Sequence, residues 1–228
     1  MAKSKKDEDE VIVDVGGAIS KFELFIEDNQ KPIYVGVGSI LAIVAIYFAY
    51  TLMYLAPLEK EASGEMWRAE SYFEQDSIQK ALEGDGNYYG FLDIIDEYGM
   101  TKAGNLANYY VGLCYVKLGE HEAAIDYLEA FESTDILVNS VAKGALGDSY
   151  TEVGEVDLAI AKYKEAAFDN ENEFSSPIYM KKAALLHESV EDYDEALDLY
   201  KKIKTDYEKS AEARTIDKYI GRAEAMLE

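Results

Sequence analysis

The sequence predicts an all-α protein: a single N-terminal transmembrane helix followed by an α-solenoid of repeated helical hairpins. Three observations carry this. Residues 33 to 55 hold no charged side chain, in a chain of 228 residues with a formal net charge of -23. Beyond them a set of small and aromatic residues recurs 35 and then 37 residues on. Apolar residues elsewhere return every three or four positions, as on helix faces, and the chain has only three prolines to interrupt them.

Residues 1–31 form an arm, expected to be cytoplasmic, with five Lys against eight Asp or Glu. Val15, Ile19, Phe22 and Ile26 recur at helical spacing, with Phe25 beside them. This predicts a short amphipathic helix, either lying in the bilayer interface or docking on a membrane partner. Phe22 and Phe25 are its candidate partner contacts. Asp28-Asn29-Gln30-Lys31-Pro32 is expected to break that helix before the membrane. The "DEDE" run Asp7–Glu10 reads as a solvated tail.

Residues 32–57 form the anchor. As a helix, the 23 uncharged residues from Ile33 to Leu55 reach roughly 35 Å, slightly more than the ~30 Å hydrocarbon core. A cleaved export signal has a shorter apolar region and a small-residue cleavage site, and Tyr54-Leu55-Ala56-Pro57 supplies none. Tyr34, Tyr47, Tyr50 and Tyr54 lie toward the two ends, where interfacial aromatics sit. Gly36 and Gly38 permit close approach of another helix and are candidate membrane-partner contacts. Lys3, Lys5, Lys6, Lys21 and Lys31 precede the span, whereas only Lys60 and Arg68 occur in the twenty residues after it. The Lys/Arg bias therefore predicts a cytoplasmic arm and a translocated domain.

Residues 58–228 hold the folded part. From residue 32 onward there are 17 Lys or Arg against 37 acids. Such a surface repels nucleic acid, whose binding needs cations to displace counterions. The single cysteine, Cys114, excludes an intrachain disulfide and reads as a small buried hydrophobe.

"LANYYVGLCYVKLGEHEAAIDYLEAF" (Leu106–Phe131) aligns with "VAKGALGDSYTEVGEVDLAIAKYKEAA" (Val141–Ala167) and with "IYMKKAALLHESVEDYDEALDLYKKI" (Ile178–Ile203). Gly112, Tyr115, Gly119, Ala124 and Leu128 match Gly147, Tyr150, Gly154, Ala159 and Tyr163, then Ala184, His187, Glu191, Ala196 and Tyr200. This resembles the tetratricopeptide repeat, with clear copies at about 105–136, 140–171 and 177–208. Small residues at 112, 147 and 184 would let the second helix of each pair close on the first. Gly119 and Gly154 would end the first helix with positive φ. The flanking segments look like degenerate copies or cap helices: Leu58, Ala62, Met66, Ala69 and Phe73 make an earlier helical stripe, expected to continue from the span with a kink at Pro57. Asp76 with Gln79 looks like a capping box. "EGDGN" (Glu83–Asn87) reads as a turn, and Ala211–Leu227 as a closing helix.

Stacked helix pairs leave a concave face lined by the first helix of each pair. The repeat register places Leu106, Tyr109, Leu113 and Val116 there, then Val141, Asp148 and Thr151, then Ile178, Lys181, Leu185 and Glu188. Tyr109 and Leu113 stand where some such domains carry a Lys/Asn carboxylate clamp. The first third of the face is apolar and would suit an apolar peptide, or be covered by another helix of the chain.

No catalytic, metal or cofactor constellation emerges, and the chain is expected to be no enzyme. His121, in "GEHEA", is expected at the solvent side of a turn, and His187, in "LLHES", packed in the core. Neither has metal-ligand spacing, and "DVGGAI" lacks the GK[ST] of a phosphate loop.

"FELFIEDNQKPIYVGVGSI" combines an aromatic pair, an acidic-Asn step, a Lys and a Val/Gly-rich start of the span. With the arm, span and repeats, this is similar to the YfgM-like family of ancillary SecYEG translocon subunits. The resemblance implies a single-pass protein of the bacterial inner membrane with a periplasmic domain. It implies as partners SecYEG, a membrane-anchored PpiD-type chaperone and secretory client polypeptides, and a role in handing those clients over. A periplasmic scaffold for envelope assembly or division, or a cytosol-facing membrane adaptor, are the alternatives that the same features allow.

Overall fold

The computed structural model describes residues 26–228, and all regular structure among them is helical. It divides into two compact units, one ending at Tyr54 and one running Leu55–Glu228. In the first, α1 (Gln30–Tyr50) leads into a π-helical turn at Thr51–Leu55, and neither has a buried residue. Helical structure continues through to Glu74, a length and composition sufficient to cross a membrane. The expected break at Asp28–Pro32 is confined to Asn29, with helix on both sides. Pro32 falls in the first turn of α1, where a missing N–H leaves no intrahelical bond unmade. A π turn precedes Pro57, and in it Thr51 Oγ1 donates to the Tyr47 carbonyl at 2.6 Å. Val15, Ile19, Phe22 and Phe25 lie outside the described residues.

The second unit contains α2 (Ala56–Glu74), α3 (Ile78–Glu83), α4 (Phe91–Tyr98), α5 (Lys102–Leu118), α6 (His121–Ala130), α7 (Ile136–Glu152), α8 (Val156–Phe168), α9 (Ser176–Ser189), α10 (Tyr193–Asp206) and α11 (Asp217–Leu227). Consecutive helices pack on one another from α4 to α11, and α2 packs on α3, α4 and α5. Two of these contacts have a direct sequence cause. A Cβ on Gly112 would overlap Leu128 of α6, and one on Gly147 would overlap the Tyr163 ring of α8. The missing side chains are therefore what lets α6 close on α5 and α8 on α7. Starts are set by caps: Thr101 Oγ1 accepts from the Gly104 N–H at 2.9 Å, and Asp135 Oδ1 accepts from Leu137 and Val138.

The helix ends reveal a fourth repeat. α5 ends with Gly119 N–H donating to the Val116 carbonyl and Glu120 N–H to Tyr115, with Gly119 at φ 76. The same pair of bonds ends α7 around Gly154, and α9 around Glu191 at φ 63. It also ends α2: Asp76 N–H donates to Phe73, Ser77 N–H to Tyr72, and Asp76 sits at φ 58. Asp76 is thus the C-terminal stop of α2. The expected capping box at Asp76 and Gln79 does not form; Ser77 precedes α3 without a side-chain cap bond. Ala69, Tyr72 and Ala81 then fall in register with Gly112, Tyr115 and Ala124, and both Ala69 and Ala81 are fully buried. The second helix of this first pair is split into α3 and α4 by the loop through Gly84 and Gly86, both at positive φ.

Three apolar clusters follow one another along the solenoid. The first joins Ala62, Met66 and Ala69 to Phe91, Ile94, Ala107, Val111 and Cys114. The second centres on Leu128, Leu146 and Tyr150, and the third on Tyr163, Met180, Tyr200, Ile203 and Ile216. A core built as successive interfaces of this kind is the signature of a solenoid.

Candidate partner-binding face

The repeat register puts the side chains expected on the concave face in one row. α5 contributes Leu106, Tyr109, Leu113 and Val116, all half-buried. Leu106 packs on the first apolar cluster, and Tyr109, Leu113 and Val116 on the second. The Tyr109 ring lies 5.4 Å from that of Tyr110 and 5.2 Å from that of Phe131, and burial pushes its phenol up. Leu106 lines a cleft of about 850 Å³ with Phe131, Val138 and Lys143. The loop that walls this cleft is pinned by Asn105, which donates to the Glu132 carbonyl at 2.7 Å and accepts its N–H at 3.0 Å.

In the second pair, Val141 is exposed and Thr151 Oγ1 donates back to the Gly147 carbonyl at 2.7 Å. Asp148 is engaged twice: Tyr163 donates its hydroxyl, and Lys182 its ammonium, each at 2.5 Å to Oδ1. The Lys182 ammonium also lies 5.4 Å from the Tyr163 ring centre. These contacts tie the second pair to the third. Burial, followed by the bond to Asp148, pushes the Tyr163 phenol far up.

The third pair meets the closing helix. Ile178 packs on the third cluster, and Leu185 is exposed. The Lys181 ammonium sits 5.1 Å from the Tyr219 ring of α11. Glu188 is bridged by both Nε and Nη2 of Arg222. Lys181 and Glu188, expected on the groove, are therefore already occupied by the chain's own last helix. The apolar part of the row at α5 keeps its exposed portions.

A Cβ on Gly36 or Gly38 would meet nothing within 4 Å. His121 is half-buried at the start of α6, not exposed as expected. His187 is buried, with Nδ1 2.8 Å from Asp192 Oδ2. Cys114 is buried, and desolvation pushes its thiol up to about 12. No group of three or more His, Cys, Asp or Glu among the described residues is placed to hold a metal ion.

Sequence reasoning missed Gly144, Tyr179 and Lys182 in the middle of the face, and Glu70 of α2. The signal for α2 was present: Ala69, Tyr72 and Ala81 repeat the spacing of Gly112, Tyr115 and Ala124. It is hidden because Asp76, not glycine, stands at the stop.

A tetratricopeptide-repeat family profile matches residues 106–133. No curated protein sequence matches the chain. Among solved structures, a crystal structure of MamA protein superposes with a TM-score of 0.53 at 17% identity, covering 72% of this chain and 91% of that one. A second MamA structure gives 0.51 at 16% identity, covering 70% and 94%. A Podosopora anserina protein with nearly identical TPR-like repeats of kinesin-light-chain type gives 0.54 at 13% identity, covering 74% and 87%. At these identities the likeness is one of fold. The matched segment and these superpositions give this chain the fold of a tetratricopeptide-type solenoid protein. It carries, ahead of its repeats, a helix long and apolar enough to span a membrane.

Proposed function

We propose that this protein is a membrane-anchored scaffold of the Sec translocon. α1 would hold it in the bacterial inner membrane, its arm in the cytoplasm and its repeats in the periplasm. The repeat domain would bind a PpiD-type membrane-anchored chaperone and assist the handover of secretory chains, without catalysis of its own. The observation that carries the reading is the direct succession of a helix uncharged from Ile33 to Leu55 and a repeat domain whose row on α5, Leu106, Tyr109 and Leu113, is apolar and part-exposed. The Lys/Arg bias before the span supports the orientation. The similarity of "FELFIEDNQKPIYVGVGSI" to the translocon-associated family supports the partner.

Photocrosslinkers placed at Gly36 and Gly38, and at Tyr109 and Leu113, test this in intact cells. SecY adducts from the first pair and chaperone or client adducts from the second are expected. Adducts restricted to division or envelope-assembly proteins would replace the translocon with such a scaffold. Protection of the domain from external protease in spheroplasts would place it in the cytosol and overturn the topology.

A further inference from the structure

We propose that the trough between α2 and α5 binds a partner segment in which a lysine or arginine adjoins an apolar stretch. This rests on the concave face being the partner-binding surface and names the chemistry it selects.

The fourth repeat supplies the geometry. With Ala69 in register with Gly112, Glu70 takes the row position held by Leu113, Asp148 and Leu185, and Phe73 that of Val116. Glu59, Ser63, Met66 and Glu70 of α2 face Lys102, Ala103 and Leu106 of α5 across a trough of about 250 Å³. Leu106 and Lys102 also line the neighbouring 850 Å³ cleft, so the two spaces adjoin. Part-exposed apolar surface from Leu106, Tyr109 and Leu113 runs beside it.

The charges are arranged unequally along the row. Asp148 is paired by Lys182, and Glu188 by Arg222. Glu70 and Glu74, one turn apart on α2, have no ion-pair partner among the described residues. Burial, and then the charge of Glu74, push the Glu70 carboxyl up. Lys102 is the one cation lining the trough; its main-chain N–H donates to Glu59 Oε2 at 2.6 Å. A cationic side chain entering the trough would meet the unpaired Glu70 carboxylate, with Glu74 one turn further along α2, next to apolar surface. The surrounding acid excess would steer such a segment in and turn acid-rich segments away.

The test uses the full-length chain in nanodiscs and three fluorescent peptides sharing one leucine–alanine stretch. One begins with two lysines, one with two serines and one with two glutamates. The lysine peptide is expected to bind most tightly, in a salt-sensitive way. Glu70→Gln with Glu74→Gln should weaken it about tenfold and leave the serine peptide unchanged. Because the ionised form of Glu70 is disfavoured in the fold, Glu70→Gln alone should not lower thermal stability. Glu70→Lys should turn the preference toward the glutamate peptide, which a folding defect cannot imitate. Equal binding of the lysine and serine peptides, unmoved by Glu70 variants but weakened by Leu113→Ser, would overturn this inference and leave the groove reading standing. Absence of binding by all three peptides would overturn both.

Discussion

The ring of Tyr179 occupies the space that any side chain on residue 144 would need: a Cβ on Gly144 would overlap its Cε1, Cζ and hydroxyl. Gly144 holds the row position of Tyr109 and Lys181, so the next repeat fills the middle of the concave face with its own tyrosine. Gly144→Ala should force the ring out of its stack with Tyr163, whose centre is 6.4 Å away. The expected loss is about 1–3 kcal/mol of unfolding free energy, measured by denaturant titration. Tyr179→Ala combined with Gly144→Ala should cost less than the two changes summed, because the overlap exists only when both partners are present. Strict additivity would show that the ring is not seated there.

Glu191 carries a left-handed backbone at the stop of α9, where α5 and α7 use Gly119 and Gly154. A side chain in that region is strained, and glycine relieves the strain at a smaller entropic cost in the unfolded chain. Glu191→Gly should therefore stabilise the domain by about 0.5–1 kcal/mol, raising Tm by a few degrees. Gly154→Glu should do the reverse. Calorimetry of the two variants against the parent decides it; a lower Tm for Glu191→Gly would mean that the glutamate supplies a compensating contact.

The fold was legible wherever a residue type has one physical use. Gly112 and Gly147 mark close helix approach, and Gly119 and Gly154 mark positive φ, so two repeats and their register could be read directly. His187 and Glu191 blurred the third copy without concealing it, because Ala184 and Ala196 remained. The first copy was reduced to a stripe because Asp76 disguises its stop and the Gly84–Gly90 loop splits its second helix. For the candidate face, register places Leu106, Tyr109 and Leu113 in one part-exposed row, but register cannot foresee which charges pair. Asp148 with Lys182, and Glu188 with Arg222, are contacts between successive helix pairs or with the closing helix. Spacing within one repeat does not encode them.

Cys114 lies fully buried in the first apolar cluster, and burial raises its thiol to about 12. At neutral or mildly alkaline pH it is a thiol rather than a nucleophilic thiolate, and it is out of reach. Native protein should react with a thiol-directed reagent only as fast as the domain opens, whereas denatured protein should react at once. Reaction at the rate of a free peptide cysteine would contradict the packing of α5 against α2. Cys114→Ser, which buries a hydroxyl among apolar side chains, is expected to cost about 1–3 kcal/mol.

Several tyrosines make the domain sensitive to alkali in a defined window. Burial raises Tyr179 to about 12 and, with the hydroxyl donated to Glu129 at 2.6 Å, Tyr150 to about 12 as well. Tyr163 and Tyr200 are pushed up further, chiefly by burial. The sign follows from linkage: each phenol keeps its proton more tightly when folded than its ordinary value of 10 allows. The stabilisation is fully present below pH 10, where both states are protonated, and is lost as pH rises toward 12. Above 10 the unfolded chain gives up protons that the folded chain retains. Helical circular dichroism should thus hold to about pH 10 and then fall cooperatively, together with a late rise in tyrosinate absorbance from the buried rings. Tyr150→Phe removes one of these linked protons and should make the alkaline transition less steep. Buried tyrosines ionising near 10 with helicity intact would refute the assignment of these rings to the inter-helix core.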